Sequence, residues 1–330
     1  MPSALALASD RHLVLADMMT GRHNTLLRLL QALRSDPEVF GEPVPGTADE
    51  PGVFLSGVHY LHKVVAGLPN PRPAWYFDVT DQGEGLADTG VHLVDRVHET
   101  LFPEQALDWQ RDIDVFAASR WPTSVSLAQF HELTGEGAWP EDLAPWLRGG
   151  VLEYFCNGRV DYRVRGIHVR LEVRWDWQAE QGDDTHHALY RGTRCGLAVR
   201  QGPAERFRQE LYVLPDRDIG TALRRRIVAL QPRYPGIAIE AVGLKWRIAI
   251  PDKAADRARR RFRSVHPTLS GLCRRSGLAA GARETQFTRK IPGDDRRCLV
   301  EPRLSTSRSG QHMVLAALES GTPVLSIPGQ

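Results

Sequence analysis

Asp88, His92 and Asp95 stand close together in Gly85-Leu-Ala-Asp88-Thr-Gly90-Val-His92-Leu-Val-Asp95. On a helix, Asp88 and His92 are i and i+4 and share a face, with Asp95 a further turn along. A carboxylate beside an imidazole fixes its tautomer and raises its basicity, which suits proton abstraction near neutral pH. The blander reading is an acid favoured by the helix dipole at the start of an ordinary polar face. Spacing alone leaves both open.

Two other constellations compete with that one. His59 and His62, i and i+3 on an expected helix, could join Asp88 and His92 as metal ligands, as could His186-His187. That arrangement would suit a metal-dependent hydrolase or isomerase, although an HxxH pair by itself is a weak signal. Gly83-x-Gly85 between a strand and a helix imitates a dinucleotide-binding turn. Gly90 lies too far on for GxGxxG, however, and Glu84 and Asp88 put negative charge where a pyrophosphate belongs. We therefore reject a dinucleotide turn here, and no GxGxxG occurs elsewhere in the chain. A serine nucleophile lacks a GxSxG elbow.

The elements that position these residues follow from periodicity. A short strand, Leu13 to Ala16, precedes a helix from about Asn24 to Arg34 with a leucine stripe and Asn24 as N-cap. Gly41 to Gly52, rich in proline and glycine, reads as a loop. A second helix is expected over Val58–Ala66, a buried strand over Trp75–Val79, and a third helix over Leu86–Leu101 ending before Pro103. From Ile113 onward strands dominate. Ile167 to Trp177 alternates apolar and polar residues without a break, the mark of one buried face and one polar face. Further strands are expected at Val151–Cys156, Ala188–Val199, Phe207–Leu214 and Ala241–Ile250, with a helix at Arg224–Leu230. Sequential strands with short connections indicate an α+β fold, a large open and mainly antiparallel sheet with helices on one face.

Composition narrows the setting. A net charge of +2 over 330 residues gives no reason to expect nucleic acid or an anionic membrane as partner. The charge is uneven: from Lys253 to Gln330, 13 Arg and 2 Lys against 3 Asp and 3 Glu give +9, leaving −7 for residues 1–252. Four scattered cysteines without a CxxC pair suggest neither a zinc knuckle nor a disulfide framework. With no long apolar run and no signal peptide expected, a cytoplasmic location is the default.

The Asp88–Asp95 stretch resembles the Asp-x-Gly-x-His-x-x-Asp helix of the glucose–fructose oxidoreductase/inositol dehydrogenase (Gfo/Idh/MocA) family. Val58-His-Tyr-Leu-His-Lys63, Arg72-Pro73-Ala-Trp-Tyr-Phe-Asp78-Val and Arg165-Gly-Ile-His168-Val are similar to an oxidoreductase branch of it. Leu13 to His23 resembles the link from its nucleotide domain into its substrate domain. The resemblance implies a remnant of a Rossmann-type domain and linking helix at 1–40, a substrate and dimerisation domain at 41–252, and a divergent Arg-rich tail, poorly ordered, at 253–330. It implies NAD or NADP as cofactor, a small carbohydrate-like substrate, and homo-oligomers formed through the open sheet. By position, His92 is the acid/base and Asp88 its partner. Asp95, Trp75, Tyr76, Arg22, His23 and Lys63 are placed around the substrate. The family's phosphate-binding glycines and catalytic lysine belong upstream of Leu13. Weak or absent NAD(P) binding by this chain alone is therefore expected, and a non-catalytic binding or dimerisation module is the alternative.

Overall fold

The central strand is Val53–Tyr60, in a computed structural model that describes residues 19–65 and 68–251. This strand, β1, runs parallel to β7 (Ile167–Asp176), with Val53 opposite Val169 and His59 opposite Trp175. On its other side it runs antiparallel to β8 (Thr185–Arg191), with Val53 opposite Tyr190. The helix expected over Val58–Ala66 is not formed. β7 pairs along all of β1 and β8 along Val53 to Val58, and Val, Phe and Tyr favour the pleated surface, so tertiary pairing overrides the local pattern.

A two-stranded ribbon, β2 (Val64–Val65) and β3 (Leu68–Pro69), stands apart from the main sheet. The chain then crosses to β4 (Ile113–Val125), and β5 (Leu147–Arg148) leads into β6 (Val151–Val164) and β7. After β8 come β9 (Cys195–Gln201), β10 (Glu210–Pro215), β11 (Ala238–Val242) and β12 (Lys245–Ala249). The ten-stranded order is β11-β12-β10-β9-β8-β1-β7-β6-β4, with β5 on β6, and every pair but β1–β7 is antiparallel. The expected open, mainly antiparallel sheet is present. The single strands expected at Ala188–Val199 and Ala241–Ile250 are each a hairpin, because Gly192 to Arg194 and Gly243-Leu244 turn the chain.

Helices cover one face. In α1 (Thr25–Arg34) the Asn24 side chain accepts the Leu26 amide at 2.9 Å, and Leu26, Leu29, Leu30 and Leu33 are buried. A short turn, α2 (Val79–Gln82), precedes α3 (Val91–Leu101), which buries Leu93, Val94, Val97 and Leu101. Gln31 of α1 donates to the Glu99 carbonyl of α3 at 3.0 Å. A capping box, Ser126 with Gln129, starts α4 (Leu127–Thr134). The last helix, α5 (Gly220–Leu230), is tied to α1 by Arg226 donating to the Ala32 carbonyl.

The strand expected over Trp75–Val79 is a 3-10 turn, Ala74–Phe77, running into α2. Pro71 and Pro73 remove ladder donors, and the Asp78 carboxylate accepts the Thr80 amide at 2.8 Å, so local bonds replace a ladder.

Alternation along β7 sets the two faces. Ile167, Val169, Leu171, Val173 and Trp175 point beneath the helices, while His168, Arg170, Glu172, Arg174 and Asp176 face the other way. Homo-oligomers through the open sheet would be favoured by apolar, aromatic surface on its outward face, to which Trp175 or Trp177 could contribute unless they pack under the helices. Instead Trp175 is buried, and the outward face carries ion pairs such as Asp161 between Arg159 (2.7 Å) and Arg170 (2.6 Å). No helix among the described residues is long and apolar enough to cross a membrane. The expected strand at Leu13–Ala16 and the Arg-rich tail lie outside the described residues.

Candidate functional site

One turn of π-helix, Leu86–Gly90, launches α3 and carries Asp88 and Thr89. The glycines around it explain why it lies so flat on β6. A Cβ on Gly85 would come 2.0 Å from the Cys156 carbonyl oxygen, and one on Gly158 would come 2.7 Å from Leu86 Cγ. Gly83 sits at φ +89°, where other residues are strained. These glycines let backbone meet backbone between turn and strand. They cradle no phosphate, and a wide helical turn of this kind is commonly found at functional sites.

The first turns of α3 meet the end of β1 and the start of β8 in a pocket of about 290 Å³. Its walls include His92, Asp95 and Arg96 from α3, His59 from β1, Asp184 and His186 at β8, and Gln201 from β9. His92 is exposed to this space. Asp88 makes no hydrogen bond to it and instead accepts from Thr89 Oγ1 at 3.3 Å. The predicted Asp88–His92 contact is therefore absent, although both residues stand on the expected turn.

The carboxylate–imidazole pair in this pocket belongs to other residues. His59 Nδ1 lies 3.0 Å from Asp184 Oδ2, which also accepts from Lys63 Nζ at 2.5 Å. Burial pushes the Asp184 carboxyl up, but bonds from His59 and Lys63 outweigh it and hold its pKa below the ordinary value. The His59 ring packs tilted against Trp175, centroids 4.9 Å apart. His59 and His62 diverge, since His62 Nε2 meets Glu132 at 3.1 Å. No cluster of metal-ligating side chains occurs among the described residues.

Asp95, 3% exposed, is gripped through both oxygens by Arg22, whose Nε lies 3.1 Å from each. The two residues proposed to contact substrate thus hold each other, with Asp95 still on the pocket wall. His23 is exposed and outside the pocket. Tyr76 lies behind the Trp175 ring with Arg72 4.3 Å above it, and burial pushes its hydroxyl to about 12. Trp75 is 54% exposed. Neither aromatic lines the pocket, and Lys63 reaches it only through Asp184.

Arg96 was missed by sequence reasoning, and His186 was singled out only as a candidate metal ligand beside His187. Arg96 Nη1 lies 3.1 Å from His186 Nε2. Burial, aided by the Arg96 charge, pushes His186 down to about 3, so the imidazole is neutral and accepts the guanidinium proton. The alternation of β8 was the available signal. It turns His186 inward, while His187 faces outward against Phe54 at 5.7 Å.

Comparison with known proteins places this geometry. The family described as "Putative oxidoreductase C terminal domain" matches residues 29–274. A solved structure from Parabacteroides merdae, described as a putative oxidoreductase, is 29% identical with a TM-score of 0.79, covering 97% of this chain and 70% of its own. A levoglucosan dehydrogenase complexed with NADH and levoglucosan is 14% identical with a TM-score of 0.35, covering 61% and 43%. Gal80p, a transcriptional regulator from Kluyveromyces lactis, is 11% identical with a TM-score of 0.37, covering 60% and 42%. No curated protein matches the sequence. The chain belongs to the oxidoreductase C-terminal domain family.

Proposed function

We propose that this chain is the substrate-holding half of an NAD(P)-dependent oxidoreductase acting on a carbohydrate-like alcohol, with His92 exchanging the substrate's hydroxyl proton. One observation carries the reading: in a member of an oxidoreductase family, an exposed imidazole stands on the wall of a small pocket lined mostly by hydrogen-bonding side chains. Oxidising an alcohol removes a proton from oxygen and a hydride from carbon, and a neutral imidazole can take the proton. His59, its Nδ1 held by Asp184, stands in the same pocket as a polar contact for substrate hydroxyls. The Arg22–Asp95 pair fixes the 3-10 turn Thr20–His23 against α3 and so sets the position of the wall bearing His92.

The described residues do not fit a dinucleotide. Gly85, the best candidate for a phosphate turn, is filled by the Cys156 carbonyl. The roles assigned here are therefore confined to the proton and to substrate binding. Homo-oligomerisation through the open face belongs to the same proposal, and the ion-paired arginines there make a polar interface the expectation.

The test is twofold. Titrating the full chain with sugars and polyols should move the His92 imidazole resonances, and His92→Ala should lower any alcohol-dependent NAD(P) reduction by roughly two to four orders of magnitude. Unaltered turnover in that variant, or a His92 signal indifferent to every sugar and polyol, overturns the reading.

A further inference from the structure

The charges around the pocket do not cancel. Asp184 is taken up by Lys63 and His59, and Asp95 by Arg22. Arg96, which lines the same pocket, has no ion pair among the described residues, and its one side-chain hydrogen bond there goes to the neutral imidazole of His186. Its Nε is buried without a partner beneath Gly21, where a Cβ would lie 3.5 Å away, and Nη2 makes no hydrogen bond. The Tyr190 hydroxyl donates to the Arg96 backbone carbonyl at 3.3 Å. Asp95 acts on the guanidinium only through its field, without an ion pair or hydrogen bond, because Arg22 takes both of its oxygens. A guanidinium mostly removed from water without a hydrogen-bonded counter-charge is costly, and leaving a donor unmade adds to that cost. A carboxylate on the substrate would meet both needs.

We infer that Arg96 makes this pocket selective for an alcohol that also bears a carboxylate, that is, a sugar acid or polyhydroxy acid in preference to a neutral sugar. The fork of a guanidinium matches two carboxylate oxygens, and the neighbouring groups suit the rest of such a molecule. His92, the His59–Asp184 pair and Gln201 offer hydroxyl contacts on the same walls. The inference rests on the proposed function, because it places the substrate in the pocket of His92.

The experiment compares D-gluconate with sorbitol, and D-glucuronate with D-glucose, on the full chain at constant ionic strength. Binding is read from the His92 imidazole resonances, with acetate as the control for an adventitious anion. Gluconate and glucuronate are expected to bind roughly ten- to a hundredfold more tightly than their neutral partners, the range for a hydrogen bond to a charged group. Arg96→Gln should abolish that preference, and Arg96→Lys should keep part of it. The lysine variant also serves if the glutamine variant does not fold. Neutral ligands that bind as well as the acids, a preference that survives Arg96→Gln, or acetate that binds as tightly as gluconate would each overturn the inference and leave the oxidoreductase reading standing. If no acid and no neutral ligand moves His92, both fall together.

Discussion

His59 Nδ1 lies 3.0 Å from Asp184 Oδ2, so the carboxylate that orients an imidazole in this pocket comes from 125 residues away in the chain. Because the bonds from His59 and Lys63 hold the Asp184 carboxyl below the ordinary aspartate value of 3.8, its contribution to stability is present above that pH and is lost as pH falls through the folded value. Asp184→Asn should therefore be less stable than wild type at neutral pH, with the gap closing as pH falls below about 4. Urea unfolding at several pH values checks this, and a gap that widens in acid would contradict it.

Arg22 and Asp95 form the other conspicuous pair. Asp95 is 3% exposed, so removing its partner leaves a buried carboxylate without a counter-charge. Arg22→Ala is expected to cost about 3–5 kcal/mol, and the double variant Arg22→Ala, Asp95→Leu to recover much of that loss. Equal stability of the single and double variants, measured by denaturant unfolding, would mean that the pair does not act as a unit.

His98 is fully buried in α3 with neither ring nitrogen hydrogen-bonded, and burial lowers its pKa from 6.5 to about 3. The unfolded chain takes up a proton below about pH 6.5 that the folded chain refuses. Stability from this group is whole above that pH and declines by roughly 1.4 kcal/mol per pH unit toward pH 3. His98→Leu should remove this slope between pH 6 and pH 4. An unchanged slope would show that His98 is protonated in the native state.

Titration of the 330-residue chain with NADH, followed by its fluorescence, should give binding in the millimolar range or weaker, about 4 kcal/mol. The Gly83–Gly85 turn is packed against β6, and Glu84 beside it is paired with Arg120. Saturable micromolar binding would place a dinucleotide site that these residues do not explain.

Local periodicity was enough to show the leucine stripe of α1, the alternation of β7 and the helix that carries His92. Each of those patterns reports burial on one side of one element, and a single segment contains it. The family, too, was legible, because its Asp-x-Gly-x-His-x-x-Asp signature is contiguous from Asp88 to Asp95. What a segment cannot contain is its neighbours. Val58-His59-Tyr60 could read as helix until β7 and β8 flanked it, and Trp75 to Phe77 as strand until prolines and Asp78 turned it. The chemistry of the pocket was decided in the same way. Asp95 looked free for substrate until Arg22, 73 residues earlier, closed on it. Asp88 looked like the partner of His92, whereas the orienting carboxylate belongs to Asp184 and serves His59. Arg96 looked like one more charge on a polar helix face. Only the docking of α3 onto β8 brings His186 within 3.1 Å of it, while Arg22 takes both oxygens of Asp95, so Arg96 lines the pocket without an ion pair among the described residues.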